Sequence, residues 1–385
     1  MRALIVGGGV AGLATALALH DVGIGGTVIE RRGPDGLAGG SWLTLAPNGL
    51  SAAAVIGVER DLEAAGFPTD ENVLVGATGR RLGAVSIGVP LDSGVRGITL
   101  RRSELVRVLA DHAERRGVEI RRGAPVVRVD GTRAALEDGE VLEGDVLIGA
   151  DGVRSTVRAA VDPAAPAPRY VGLTNFGGIT EGAGDLALTP RAWTMVFGRR
   201  SFFGAHPAPN GDVVWFVNVP EPPIPRSVRA ATTEEQWRER LLTLVAGDAG
   251  PAAALIRAGR LELAGDGTYD LPSVPRWHRG RAIVIGDAAH APSPSAGQGA
   301  SMALEDAVVL ARRLRGADAD PAAALARFEA DRRRRVERIV AAGARAGSSK
   351  IPGPLGLRVQ EAVMRVLFRT VVTERSAAWM TGLRF

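Results

Sequence analysis

The sequence predicts an α/β fold in which a Rossmann-like nucleotide-binding domain carries a second, mostly antiparallel sheet and ends in C-terminal helices. At the N-terminus, an apolar run at 3–6 leads through a glycine-rich turn into a helix that begins near Val10, as in a nucleotide-binding βαβ unit. Two further apolar runs, 145–151 and 280–287, are typical of strands buried on both faces of a parallel sheet. Between them, residues 169–219 hold much of the aromatic content and alternate in hydrophobicity, as antiparallel strands do.

The first motif is Gly7-x-Gly9-x-x-Gly12, which lies between the first strand and the first helix. Gly7 allows the tight turn out of the strand, Gly9 lets the backbone approach a pyrophosphate, and Gly12 allows close packing of helix on strand. At the first helical residues, Val10 and Ala11, unpaired N–H groups and the helix dipole favour phosphate. These residues predict a phosphate site at the start of the first helix.

Glu30 stands at the end of the next apolar strand, eighteen residues after Gly12. A carboxylate in that position accepts hydrogen bonds from both hydroxyls of an adenosine ribose, which favours FAD or NAD over a 2′-phosphorylated nucleotide. Two alternatives are a tight turn in an ordinary α/β domain and a signal peptide, since one Arg precedes an apolar stretch. Four glycines by residue 12 interrupt that stretch, and the complete order of strand, helix, strand and acid favours nucleotide binding.

The composition excludes several classes of protein. The 385 residues include no cysteine, so disulfides, Cys-ligated zinc, iron–sulfur clusters and a thiolate nucleophile are excluded, and no histidine grouping suggests a metal. No apolar run reaches eighteen residues free of charge and no secretion signal is evident, so we expect no membrane partner and a cytoplasmic location. The net charge is +5. The longest basic run, Arg332 to Arg335, is interpreted as a solvated helix face, and no nucleic-acid partner is expected.

The order of the elements predicts a discontinuous nucleotide-binding domain. We expect a helix over 49–63, a helix capped by Ser103, and a hairpin at Asn210-Gly211. The proline-rich segment 162–168 is typical of a linker. The predicted division assigns 1–72, 95–165 and 270–320 to the nucleotide-binding domain, 73–94 and 166–269 to a substrate domain, and 321–385 to a C-terminal helical region.

Three of the predicted buried strands end in carboxylates, at Glu30, Asp151 and Asp287. Ligands gather at the carboxyl ends of the strands in an open parallel sheet, so all three could face one bound dinucleotide. An acid after a strand is also a common helix N-cap. Gly152 and Gly286, which adjoin two of these acids, favour the binding interpretation.

A second glycine-rich loop runs from Gly286 and Asp287 through Pro294 and Gly297 to a helix that begins near Gln298. The N-terminus of that helix favours negative charge. A reduced flavin carries negative charge at N1 and the C2 carbonyl, so a helix end placed there would raise its reduction potential. Asp287 would bind ribityl hydroxyls.

Together these motifs resemble the single-component FAD-dependent aromatic hydroxylases. That family includes salicylate hydroxylase, 6-hydroxynicotinate monooxygenase and the tetracycline-modifying monooxygenases, and its fold is that of para-hydroxybenzoate hydroxylase. The order and spacing of the motifs match over nearly the whole chain. The residues that carry the resemblance are Gly7-x-Gly9-x-x-Gly12 with Glu30, Asp151-Gly152 with Arg154 and Ser155, and Gly286-Asp287-Ala-Ala-His290 followed by Pro294 and Gly297-Gln-Gly299.

The resemblance implies FAD as the cofactor and NADH or NADPH as co-substrate, bound without a second nucleotide fold. Glu30 and Arg31 or Arg32 should bind the adenosine half of FAD, and Arg102 should lie near the flavin phosphates. Asp287 should contact the ribityl and pyrophosphate region. The remaining implied roles are a link to both FAD and nicotinamide cofactor for Asp151-Gly152, and a place beside the flavin ring for Pro294.

The implied reaction is hydroxylation. NAD(P)H reduces FAD, O2 adds at the flavin C4a, and the hydroperoxyflavin hydroxylates an aromatic or polyketide-like substrate beneath the antiparallel sheet. Two alternatives remain open: a flavin-dependent reductase or oxidase of the same fold, and a non-catalytic dinucleotide-binding protein. The sequence does not determine the oligomeric state.

Two histidines are candidates for chemistry. His206, beside the predicted aromatic strands, could touch the substrate, and the alternative is an ordinary, partly buried histidine. His290, inside the second glycine-rich motif, is interpreted as a structural loop residue rather than a base.

Overall fold

The computed structural model describes residues 1–33, 41–348, 361 and 374–385. The sequence also predicts a flexible, glycine-rich segment at 33–40 and a break in the C-terminal helices at 352–354. Most of the first and all of the second lie outside the described residues. The strands, in chain order, are β1 (Arg2–Val6), β2 (Gly25–Glu30), β3 (Trp42–Leu45), β4 (Phe67–Pro68), β5 (Glu71–Gly76), β6 (Arg81–Ser86), β7 (Ile98–Arg101), β8 (Glu119–Arg122), β9 (Val126–Asp130), β10 (Arg133–Leu136), β11 (Val141–Glu143), β12 (Val146–Gly149), β13 (Arg169–Thr180), β14 (Ala192–Phe197), β15 (Phe202–Pro207), β16 (Val213–Pro220), β17 (Arg260–Asp270), β18 (His278–Arg279) and β19 (Ala282–Val284).

Helices pack on both sides of the first sheet and on the outer face of the second. They are α1 (Val10–Asp21), α2 (Pro47–Val55), α3 (Glu59–Ala65), α4 (Arg102–Arg115), α5 (Thr156–Val161), α6 (Arg226–Ala231), α7 (Glu234–Val245), α8 (Ala252–Ala258), α9 (Asp287–His290), α10 (Gly299–Leu314), α11 (Pro321–Ser348) and α12 (Glu374–Thr381).

The first sheet has the strand order β18-β19-β12-β1-β2-β8, and its neighbours pair in parallel except at the β18 edge. Its central strands are apolar throughout because helices cover both faces. The predicted α/β fold with a Rossmann-like unit is therefore confirmed. This order brings the carboxyl ends of β19, β12, β1 and β2 side by side along one edge.

The second sheet has the order β17-β13-β16-β15-β14-β5-β6 and is antiparallel except where β14 meets β5. The predicted hairpin at Asn210-Gly211 is confirmed, since it joins β15 to β16 and Gly211 has φ +88°. One face packs on α7 and α8 through buried residues that include Trp215 and Trp237. The other face lies opposite the small sheet β3-β7-β4. Side-chain hydrogen bonds of Trp193 and His206 connect this face to the domain that contains the first sheet.

Two predicted helix boundaries are wrong. The helix expected over 49–63 is two helices, α2 and α3, because Gly57 adopts a left-handed conformation with φ +68° between them. Ser103 does not cap α4, which already begins at Arg102, and its N-cap Arg101 forms no side-chain cap. The backbone N–H of Arg102 donates instead to the carbonyl of Ser41 at 3.0 Å, so a neighbouring chain segment replaces the cap.

Across residues 1–33, 41–348 and 374–385, no helix combines the length and apolar character that a membrane crossing requires.

Candidate functional site

The N-terminus of α1 is shaped by glycines. Gly7 has φ +113°, and a Cβ added there would lie 2.3 Å from the carbonyl oxygen of Ala150. A Cβ on Gly12 would lie 1.8 Å from the Gly7 carbonyl oxygen, so helix and strand touch backbone to backbone. Gly9 differs, because nothing lies within 4 Å of its added Cβ and no side chain caps the helix that follows. The start of α1, at Val10 and Ala11, therefore borders open space with uncapped N–H groups.

Glu30 lies beside this helix end. Its Oε2 accepts a hydrogen bond from the N–H of Gly8 at 2.7 Å, and its Oε1 accepts one from the N–H of Arg32 at 2.9 Å. Arg31 is exposed and forms no side-chain contact among the described residues. A groove runs from Glu30 between β2, β8 and α4, and it is lined by Gly8, Leu13, Glu30, Arg32, Gly33, Val106, Ala110, Ile120 and Arg122.

Asp151 follows β12, two strands from Glu30 in the sheet, and its carboxylate caps the start of α5 beside the N-cap residue Ser155. Its carboxylate accepts hydrogen bonds from the hydroxyl of Ser155 and from the N–H groups of Thr156, at 2.7 Å, and Val157, at 3.1 Å. Burial raises the pKa of this carboxyl group, and these hydrogen bonds oppose the rise. The geometry fits the N-cap interpretation of this acid, and its contact with a cofactor stays a prediction.

Gly286 and Asp287 lie between α1 and α10, at the carboxyl edge of the parallel sheet. Gly286 has φ +56°, and its added Cβ would lie 2.8 Å from the Cβ of Ala11 in α1 and 3.9 Å from that of Ala303 in α10. The side chain of Asp287 is exposed and has no partner in the described part of the chain. An added Cβ on Gly299 would lie 3.9 Å from Asp287 Oδ1, so this carboxylate stands at the start of α10.

The loop before α10 turns at two points. Pro294 is exposed and begins a 3₁₀ turn over Pro294–Ala296, with the hydroxyl of Ser293 accepting from the N–H of Ser295. Gly297 follows in the left-handed conformation with φ +60°. The helix then begins at Gly299 without a side-chain cap, as α1 does. Arg102 is exposed, and it is anchored to Ser41 through its backbone N–H.

Behind the start of α10 lies an ionic cluster that the sequence analysis missed. Glu305 and Asp306, both fully buried in α10, bind Arg332 of α11, which is 2% exposed, through contacts of 2.6 and 2.7 Å. Glu305 also binds Arg335 at 2.7 Å. The interpretation of Arg332 to Arg335 as a solvated face is therefore wrong, because these two arginines neutralise buried acids.

The sequence did contain a signal for this cluster. Glu305 and Asp306 interrupt the apolar run 302–310 of α10, and Arg332 lies four residues from both Phe328 and Val336 on the buried stripe of α11. Charges at core positions of two helices predict an ion pair between them.

His290 belongs to the same cluster. Its Nε2 lies 2.5 Å from Asp306 Oδ2, which also accepts the N–H of Gly286 at 2.9 Å. His290 and Arg332 lower the pKa of Asp306 to about 2, so this carboxylate is ionised and ties both ends of the 286–290 turn to α10. This geometry agrees with the interpretation of His290 as a structural residue.

The inner face of the second sheet is aromatic. Trp193 and Phe216 have ring centroids 5.4 Å apart, Phe202 and Phe216 5.9 Å, and Phe197 and Phe202 5.0 Å. Gly204 makes room for Phe216, because an added Cβ would lie 2.3 Å from its ring. The indole N–H of Trp193 donates to Thr44 and Thr99 of the small sheet at 3.0 and 3.2 Å, which fixes the distance between the two sheets.

His206 lies at the closed end of this face, fully buried. Its Nε2 is 3.0 Å from the hydroxyl of Thr69, and its Nδ1 is 2.9 Å from the carbonyl oxygen of Pro207. Burial lowers the pKa of His206 to about 4, so the ring is neutral, donates from Nδ1 and accepts at Nε2. A catalytic role for His206 stays a prediction, and the geometry favours the structural alternative.

The arrangement fits an FAD molecule. Two uncapped helix N-termini, α1 and α10, converge on the carboxyl edge of the parallel sheet, where they favour a pyrophosphate and a reduced flavin ring. Gly9 leaves the backbone open to close approach, and Glu30 lies beside the start of α1, where its contact with a ribose stays a prediction. Of the predicted residues, the structure brings the two glycine motifs, Glu30, Asp151 and Asp287 to this edge, whereas His206 lies apart beneath the second sheet.

Comparison with known proteins supports this assignment. The family model described as FAD binding domain matches residues 1–343. Aurachin C monooxygenase/isomerase of Stigmatella aurantiaca is 31% identical over 98% of this chain and 97% of its own length. FAD-dependent urate hydroxylase of Klebsiella pneumoniae is 33% identical over 88% of each chain. The structure of Klebsiella pneumoniae HpxO with FAD and uric acid superimposes with a TM-score of 0.83 at 28% identity, covering 99% of this chain and 96% of that one.

The resemblance to the FAD-dependent hydroxylases and to their fold is thus confirmed. The chain belongs to the FAD binding domain family, and it is an FAD-dependent monooxygenase with NADH or NADPH as its co-substrate.

Proposed function

We propose that this monooxygenase uses O2 to hydroxylate an uncharged aromatic or polyketide-like small molecule that lies against the inner face of the second sheet. The observation that carries the proposal is the composition of that face. On its three central strands, β14 to β16, the inward side chains are aromatic, aliphatic or neutral polar: Trp193, Met195, Phe197, Phe202, His206, Val214, Phe216 and Asn218.

Charges occur only at the margin of this face among the residues described, and they are acidic or already paired. Glu262 accepts from Arg101 at 2.7 Å and from the indole of Trp42 at 3.3 Å. Glu361 lies against Gly76, which pairs with Phe197, and accepts from the hydroxyl of Thr78 at 3.1 Å. An anionic substrate would lose its hydration here without gaining a free cation, so a neutral ring is favoured.

FAD would supply the redox chemistry when bound, namely acceptance of a hydride from NAD(P)H and activation of O2. The chain's own residues bind, orient and exclude water. The helix ends and Glu30 hold the cofactor, and the aromatic face orients the substrate by stacking and keeps water out. No strong protein base is required, which agrees with the neutral, hydrogen-bonded state of His206.

The relatives named above differ in what they act on, one on aurachin C and another on urate. Family membership therefore leaves the substrate open, and the aromatic face is the better guide. The contacts of Arg31, Arg102, Asp151 and Pro294 with cofactor, and a cytoplasmic location, remain predictions.

The test is a screen of NAD(P)H consumption with matched pairs of ligands, each a neutral phenol, quinolone or polyketide and its carboxylate analogue. We expect kcat/KM to be at least about tenfold higher for the neutral member, the loss expected from one unpaired buried charge. The product from ¹⁸O₂ should gain one labelled oxygen atom. Preference for the carboxylates would contradict the proposal, and NAD(P)H oxidation without oxygen incorporation would favour the reductase or oxidase alternative.

A further inference from the structure

A chain of side-chain amides connects the ionic cluster to the first turn of α10. Asn48, in α2, donates from its Nδ2 to Glu305 Oε1 at 2.6 Å and to Gln298 Oε1 at 3.0 Å. All three residues are buried, with exposed fractions of 0%, 0% and 3%. Gln298 is the N-cap residue of α10, so the chain ends where that helix begins.

The charge on Glu305 fixes the direction of every hydrogen bond in this chain. Arg335 and Arg332 lower the pKa of Glu305, so the group is a carboxylate and only accepts. Asn48 must therefore turn its NH2 group toward Glu305, and its second N–H then meets Gln298. Because Gln298 accepts through Oε1, its own NH2 group points away from Asn48 as a donor.

Two polar atoms remain without partners in the described residues. Asn48 Oδ1 is fully buried without a hydrogen-bond partner. The side chain of Gln298 forms its one hydrogen bond among the described residues through Oε1, which leaves Nε2 without a partner there. The NH2 group of Asn48 thus serves two buried oxygen atoms at once, one on Glu305 and one on Gln298, while its own Oδ1 stays without a partner. This arrangement fixes the orientation of the Gln298 side chain.

We propose that Asn48 is a positioning residue that locks the Gln298 side chain with its N–H groups outward, adding a donor to the uncapped N-terminus of α10. The N–H groups of Gly299 and Ala300 and the amide of Gln298 then act together at this helix end. Such a set of donors stabilises the negative charge that a flavin gains on reduction, and so raises its reduction potential. The inference rests on FAD binding and is independent of the substrate.

The test compares the FAD-loaded wild-type protein with N48L, Q298L and the double variant N48L/Q298L. Anaerobic titration with a reference dye, without substrate, gives the two-electron potential of the bound flavin. We expect each single variant to lower the preference for reduced over oxidised FAD about tenfold, which is roughly 30 mV for two electrons. The double variant should match the single ones, because both remove the same donor.

S51A is the matched control on α2, since Ser51 is buried on the same helix but bonds to Phe385 at 3.0 Å rather than to α10. It should keep the wild-type potential. Thermal unfolding is a separate measurement. N48L removes a donor from the buried Glu305 carboxylate and should melt lower than wild type, whereas Q298L leaves that hydrogen bond in place. Equal shifts in potential for the two variants despite different melting temperatures would therefore come from the lost donor and not from lost stability. An unchanged potential in N48L, or additive shifts in the double variant, would overturn the proposal and leave the proposed hydroxylation untouched, since no substrate enters the measurement.

Discussion

The N-termini of α1 and α10 both lie at the carboxyl edge of the parallel sheet, but different interactions hold them there. The start of α1 is held mainly by close backbone contact, in which Gly12 lies against the Gly7 carbonyl, and also by the side chain of Glu30, whose carboxylate accepts from the N–H of Gly8. The start of α10 is held by buried charges, with Glu305 and Asp306 bound to arginines of α11. One helix end therefore depends mainly on the absence of side chains, and the other depends on long side chains that neutralise each other.

This difference decides what each end tolerates. Close backbone contact fails when any atom is added. An ion pair in the core fails when one partner is removed, since the other charge then stays buried and unpaired. The two ends should therefore respond to opposite kinds of substitution, and the following predictions start with the largest effect.

Arg332→Met should lower the free energy of unfolding by about 3–5 kcal/mol, because Glu305 and Asp306 would lose their shared partner in the core. Urea denaturation of the apo-protein at pH 7 measures this. Arg334→Met, two residues along the same helix but exposed, is the control and should stay within about 0.5 kcal/mol of wild type. If both variants lost a similar free energy of unfolding, the arginines of α11 would act as surface charges rather than as partners of the buried acids.

Gly12→Ala should cost about 3 kcal/mol of stability, since the new Cβ would lie 1.8 Å from the Gly7 carbonyl oxygen. Gly9→Ala is its counterpart in the same motif and should leave apo-protein stability unchanged, because its Cβ meets nothing within 4 Å. It should still weaken FAD binding, which needs that space for the pyrophosphate. Differential scanning calorimetry and flavin titration together separate the two glycines, and equal loss of stability in both would contradict the steric account of α1.

The sequence predicted the α1 end better than the α10 end for a physical reason. Gly7, Gly9, Gly12 and Glu30 lie within one βαβ unit, and each acts through a local conformation or a strand end. The start of α10 is held by residues of α2, α10 and α11, which only the tertiary fold brings together. The same limit applies to His206, whose Nε2 partner Thr69 lies between β4 and β5, far from His206 in the sequence.

A fall in pH should lower the stability of the protein through His206 on the aromatic face, and this distinguishes that face from the α10 cluster. His206 has its pKa lowered to about 4 in the folded protein, against about 6.5 unfolded, so its neutral form stabilises the fold above pH 6.5. As the pH falls from 6.5 to 4 the unfolded chain takes up a proton first, and about 3 kcal/mol of stability is lost. Urea denaturation at pH 7 and 4.5 should show this loss in wild type and not in His206→Gln.

Asp306 should not contribute to that loss in the wild type, because its pKa in the folded protein is about 2 and its ordinary value of 3.8 also lies below this range. Arg332→Met should cost less stability at pH 4.5 than at pH 7, because burial raises the pKa of the acids that lose this partner and they can then take up a proton. An equal cost at both pH values would mean that the two acids keep their charge without Arg332.

Asp287→Ala tests the point where the two helix ends meet. The carboxylate is exposed, lacks a partner in the described residues and stands at the start of α10, so its loss should not lower the melting temperature of the apo-protein. It should weaken FAD binding by about 1.5–3 kcal/mol, or roughly ten- to a hundredfold in Kd, as for one charge-assisted hydrogen bond to the ribityl or phosphate region. Asp92→Ala, another exposed acid without a partner there, is the control and should retain full flavin occupancy. If Asp287→Ala instead kept its FAD and lost stability, this acid would serve the turn before α10 rather than the cofactor, and the α10 end would rely on its helix N–H groups alone.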